Sequence, residues 1–267
     1  MKRRAFFLLF LLGSCGPSAS TIEATSGMPR SAEVREASTP LVVIRPQTEE
    51  EAFVYLMEEL REMPFFRQHG YDVALPKHPL FEALAAPDAR PERADEAALR
   101  RAFASEVYRE SDFAAGLRAL GNPRPMLAQV FQAFHELNES WGFKVFPRYE
   151  VLVTLYGPGG SYDAERGRIT LFTTSEGRFK RSSGIEVVIH EMVHIGIETR
   201  IVKPFGLTHL EKERLVDRIC ATRFRKLLPS YVVQGKKDDP LDAFVTEDTL
   251  DHLPDAVEKY VRSKPRE

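Results

Sequence analysis

Apolar residues along this chain recur at two periods, and the switch between them separates its halves. From Thr48 to Met63 the run "TEEEAFVYLMEELREM" places apolar residues every three to four positions behind a Thr48/Glu51 capping pair, which predicts a helix after Pro46. Helical patterns follow at about 95–120 and 125–140, separated by the Gly and Pro of "LGNPRP", whereas 64–93 is rich in Pro and Gly and reads as an irregular loop. Past Trp141 the pattern tightens into two β-rich runs, "YEVLVTLYG" and "GRITLFTT". The "PGGSYDAER" between them has the Gly and Asp of a connection between antiparallel strands, so a hairpin or meander is expected. Two further helices are predicted, "IEVVIHEMVHIGIE" behind a Ser183/Glu186 pair and "HLEKERLVDRICATRFRKLL" behind Thr208/Glu211, the second running about five turns to Pro229. The expected fold class is α+β, with a mainly helical region at 41–140 and a sheet-containing domain at 141–267.

With 267 residues, 43% of them hydrophobic, the chain can bury one or two real cores. Its 37 basic and 39 acidic residues leave a formal charge of -2, with no field to gather nucleic acid. The first residues change the picture more. Lys2, Arg3 and Arg4 precede an apolar block from Ala5 to Leu12, the layout of an export signal and too short to span a bilayer. The "LGSC" that follows resembles the bacterial lipobox, which implies removal of residues 1–14 and a lipid on Cys15. Gly16 rather than Asp then favours the outer membrane of the cell envelope. Residues 15–40, rich in Ser, Thr, Ala and Pro, read as a flexible tether. With Cys15 lipidated, Cys220 has no intrachain partner and is expected as a buried thiol.

The first of the two last helices carries chemistry that its apolar character does not call for. His190 and His194 stand four residues apart, so both imidazoles can address one metal ion, and Glu191 lies about 100° round the helix, within reach of the reacting atoms but off the ion. A core helix whose histidines merely bond to carbonyls would need a partner for each of three polar groups. Glu198 continues the same face, but it sits about 12 Å from His190 along the axis, too far to share an ion, and is expected to pair with a nearby Arg such as Arg200. On the last helix Glu213 and Asp217 fall mid-stripe on the apolar face, among Leu210, Val216, Cys220, Phe224 and Leu228, while Lys212 and Arg214 flank it as solvated residues. An ion for Glu213 and an imidazole for Asp217 would offset the cost of burying them.

These residues together resemble the gluzincin clan of zinc metallopeptidases. His190, Glu191 and His194 match its H-E-x-x-H motif, and Glu213 follows 18 residues after His194, with Asp217 four further on. The resemblance covers about 149–228. It implies a zincin-like domain, Zn2+ held by His190, His194 and Glu213, Glu191 as general base, Asp217 orienting His190, and "GRITLFTT" as the edge strand beside the cleft. A peptide or protein substrate follows, cut as an endopeptidase cuts, since no signature for capturing a free N-terminus is present. The chain departs from the thermolysin-type "NExxSD" in having "KERLVD", with Lys212 and Val216 in place of polar neighbours. The clan's oxyanion-stabilising Tyr or His has no match by motif; Tyr231 and His252 are candidates by position, and His209 opens the second helix. Two other readings share the same residues. One is a non-catalytic envelope lipoprotein with a structural zinc or a peptide- or glycan-binding cleft; the other is a zinc hydrolase of a non-peptide amide.

Overall fold

The computed structural model describes residues 40–180, 183–233 and 239–264. The leader, Cys15 and nearly all of the tether lie outside the described residues. Four strands form one mixed sheet: β1 (Leu41–Pro46), β2 (Arg148–Thr154), β3 (Gly160–Asp163) and β4 (Arg168–Phe172), in the spatial order β1-β2-β4-β3. β1 and β4 both run parallel to β2, and only β3 is antiparallel, against β4. The fold is therefore α+β, as the two periods predict.

The expected hairpin between the two β-rich runs does not form. β2 and β4 are parallel neighbours, because the linking "PGGSYDAER" contains a strand of its own. That strand, β3, makes the hairpin with β4 around Gly167, whose positive φ of 64° suits a residue without a Cβ. The edge strands are β1 and β3, and the one beside α7 is β3 rather than "GRITLFTT", which sits inside the sheet as β4.

Helix α1 (Glu49–Arg61) starts with the predicted Thr48/Glu51 capping box. The stretch expected as irregular loop carries two short helices, α2 (Met63–Gln68) and α3 (Pro79–Leu84), each with Pro in its first turn, where no N–H is missed. The pattern at 95–120 breaks into α4 (Glu96–Ala102), a π turn and a 3-10 turn, and α5 (Ala114–Leu120). α6 (Arg124–Trp141) is continuous and buries Leu127, Val130, Phe131, Phe134 and Leu137 along one stripe. α7 (Gly184–Ile197) is buried on all sides and extends through a π turn, Glu198–Val202, into α8 (Lys203–Phe205). α9 (His209–Arg223) and α10 (Leu253–Ser263) complete the set.

α7 lies in the main core, which joins the sheet to α6, α9 and α10. Its fit there is close: a Cβ on Gly196 would lie 1.9 Å from the Phe143 ring, so only glycine lets the helix approach. A second, smaller cluster of Phe53, Leu56, Leu60, Phe81, Phe103 and Tyr156 supports the helical region.

α9 is shorter than its pattern predicts, because Phe224 leaves the helix and turns into the core against Phe134. Its faces also differ from the projection. Leu210 is 69% exposed, while Lys212 and Arg214 are each 8% exposed. Arg214 is held by Asp242 through Nε at 2.7 Å. Among the described residues no helix is long and apolar enough to cross a membrane.

Candidate metal centre

α7 packs beside α9 and beneath the end of β3, and this brings His190, His194 and Glu213 together. The Nε2 atoms of the two histidines are 3.0 Å apart, and Oε2 of Glu213 lies 3.4 Å from His190 Nε2 and 3.3 Å from His194 Nε2. Three donors held at zinc-ligand distances of about 2.0–2.1 Å from a tetrahedral ion stand about 3.3 Å from one another. The triangle thus has the size that one small divalent ion requires, and the group of two imidazoles and a carboxylate is able to hold a metal. Glu198 lies outside the group, as its position along the helix requires.

The surroundings set the charge states of the three. Burial works against an ionised Glu213, yet the imidazoles of His194 and His190 hold its carboxyl well below the usual range. Burial likewise pushes His194 down. For His190 burial acts downward too, but a contact with Cys220 and the carboxylates of Glu213 and Glu191 outweigh it and hold the ring up. Cys220 is the buried free thiol that the sequence suggests.

His190 is oriented from behind. Its Nδ1 lies 2.6 Å from the Tyr231 hydroxyl, which donates to Asp217 Oδ1 at 2.6 Å, while Nδ1 and Asp217 Oδ1 are themselves 3.5 Å apart. With Nε2 turned to the other donors, Nδ1–H donates to Tyr231 and Tyr231 donates to Asp217. Asp217 therefore reaches the imidazole chiefly through the tyrosine. Tyr231→Phe is expected to weaken metal affinity by about 10 to 100-fold without unfolding the chain. Asp217→Asn should cost less, because Asn Oδ1 still accepts from Tyr231. Chelator competition on both variants checks this, and parental affinity in Tyr231→Phe would remove the tyrosine from any role at the centre.

A cleft of about 540 Å³ opens over the triangle, lined by Gly159, Gly160 and Ser161, by His209 and Lys212, and by the aromatic side chains of Phe65, Phe66 and Tyr71. Glu191 faces this space and is 7% exposed. A Cβ on Gly160 would stand 2.3 Å from Glu191 Oε1, so glycine is what lets the edge strand lie directly against this carboxylate. His209 bonds to the Tyr71 hydroxyl at 2.7 Å and stands 3.8 Å from Glu213 Oε1. His252 is exposed and does not line the cleft, and Tyr231 is engaged behind His190.

Several expected pairings change. Glu198 accepts from the Tyr162 hydroxyl at 3.0 Å rather than pairing with Arg200. Ser183 caps α7 by accepting from Ile185, and Glu186 turns away from a capping box to accept from Ser230 at 2.7 Å. His69 and His78 make local bonds to Phe65 and Leu80, in keeping with structural roles. Tyr71, Tyr162 and Lys212 reach the cleft with no motif to mark them. A lone tyrosine carries no spacing signal, and Lys212 projects onto a flank that looks solvated until β3 covers it. No protein-family model, no curated protein and no solved structure matches this chain.

Proposed function

We propose that this chain is a zinc metallopeptidase of gluzincin type that hydrolyses internal peptide bonds, exported and lipid-anchored through Cys15 in a bacterial envelope, with the outer membrane favoured. The observation that carries the reading is the placement of Glu191: a buried carboxylate that faces the same cleft as the His190, His194 and Glu213 donors, against an edge strand. A site built only to hold a structural ion has no use for such a group. His190, His194 and Glu213 would hold the ion, and the two-imidazole, one-carboxylate donor set suits zinc. When bound, zinc supplies Lewis acidity, which polarises a carbonyl and lowers the pKa of water.

The chain's own residues do the rest. Glu191 takes a proton from the attacking water and returns it to the leaving amine. Tyr231 and Asp217 fix the tautomer and tilt of His190. β3 offers backbone groups at the sheet's edge to an extended substrate, and Gly160 gives it room beside Glu191. Phe65, Phe66 and Tyr71 give the cleft an apolar wall against which substrate side chains would pack.

The test is cleavage of a mixed peptide library by the zinc-loaded protein, with a chelator control. Cuts within peptides that stop on chelation are the expected result. Folded, zinc-loaded protein that cuts nothing would transfer the site to a binding lipoprotein or to a hydrolase of another amide. For the anchor, Cys15→Ser expressed in a Gram-negative host should lose lipid labelling and leave the membrane fraction.

A further inference from the structure

Lys212 is one of the two residues, with Val216, by which this chain departs from the pattern it otherwise resembles, and its surroundings explain what it does. Its ammonium is buried at the cleft wall beside Glu213, where an uncompensated charge would be costly. Part of the compensation comes through Tyr162. Lys212 Nζ donates to the Tyr162 hydroxyl at 3.1 Å, and that hydroxyl donates to Glu198 Oε2 at 3.0 Å. All three residues are less than a tenth exposed. Glu198 begins the π turn that extends α7, a departure from regular helix that is frequent at functional sites. The Tyr162 ring also stacks on His194, with centroids 4.9 Å apart and planes 8° from parallel.

The two oxygens of Glu213 are thereby distinguished. Oε2 faces the two histidine Nε2 atoms, whereas Oε1 points the other way, 3.9 Å from Lys212 Nζ and 3.8 Å from His209 Nδ1. Left to itself, a carboxylate beside a divalent ion can swing to bind through both oxygens, which fills a coordination position. A positive charge behind Oε1 opposes that swing.

We infer that Lys212, held in place by Tyr162 and Glu198, is a positioning residue that keeps Glu213 a one-oxygen metal ligand and so preserves an open position at the ion. The inference rests on the metal-site reading, and its test separates the two. The probe is Co2+, loaded in place of zinc, because its visible spectrum reports coordination number directly and independently of turnover. The parent is expected to show the intense bands of a four-coordinate ion. Lys212→Met keeps the length of the stem and removes the charge, and it should lose those bands in favour of the weaker ones of five-coordination, while Co2+ affinity holds or rises. Tyr162→Phe keeps the ring stacked on His194 but cuts the link to Glu198, so it should show the same change in smaller measure, and it decides the matter if Lys212→Met fails to fold. Folded variants that both keep the parental spectrum overturn this inference alone. A parent that takes up no Co2+ overturns the metal reading and this inference with it.

Discussion

Glu191→Gln is expected to hold zinc as well as the parent and to lose at least about 100-fold of its hydrolysis, the scale on which a positioned general base contributes. The geometry makes the substitution clean. Glu191 is not one of the three groups whose donor atoms converge, so the metal stoichiometry should not change. Gln has nearly the same shape, which matters at a position where β3 passes so close that a Cβ on Gly160 would collide with the carboxylate. What disappears is basicity. Metal content measured beside library cleavage, under identical conditions, separates a lost base from a lost ligand. Equal cleavage by parent and variant would leave the centre in place and require another base, with Glu198, His209 and Glu186 to be tried in turn. Glu198 is the weakest of these, being turned toward Tyr162.

The features that were legible in the sequence are those fixed within one or two helical turns. The Thr48/Glu51 and Thr208/Glu211 boxes form because each pair spans one turn and needs nothing from elsewhere. His190 and His194 share a face for the same reason. The Ser183/Glu186 pair has the same spacing and fails, because Ser230, 44 positions away in sequence, offers Glu186 a different bond. The sheet order was hidden in the same way. Nothing local to "PGGSYDAER" says that β4 will pair with β2 in parallel while β3 takes the edge, since parallel pairing is decided by what packs on the faces. Lys212 shows the point most sharply. Its helix projection places it on a flank beside other charges, but the Tyr162 hydroxyl and Glu198 make a buried ammonium tenable, and both come from other elements. Glu213 and Asp217 could be found because carboxylates on an apolar stripe demand an explanation, whereas Tyr71 and Tyr162 raise no such question, and Tyr231, a candidate only by position, serves behind His190 rather than at an oxyanion.

Removing any one of His190, His194 or Glu213 as Ala should abolish stoichiometric zinc. Structural sites with four protein ligands bind zinc with about 10–16 kcal/mol, so each ligand carries on the order of 3 kcal/mol, and losing one of only three weakens binding by at least about 100-fold. The three should behave alike because their donor atoms form a near-equilateral set, with separations of 3.0, 3.3 and 3.4 Å, and no other His, Cys, Asp or Glu among the described residues completes such a group. Glu198→Gln is the matched control. Glu198 follows His194 by four residues and is also buried, but its oxygen is bonded to Tyr162. That variant should keep one zinc per chain, and the contrast tests placement around an ion rather than burial or acidity in general. Thermal unfolding of each variant with and without added zinc guards against misfolding: the parent and Glu198→Gln should gain stability from the metal, and the three ligand variants should not. Stoichiometric zinc in all three purified ligand variants would sink the assignment of this centre, and loss of zinc in Glu198→Gln as well would mean that the ion is held by a wider network than the triangle.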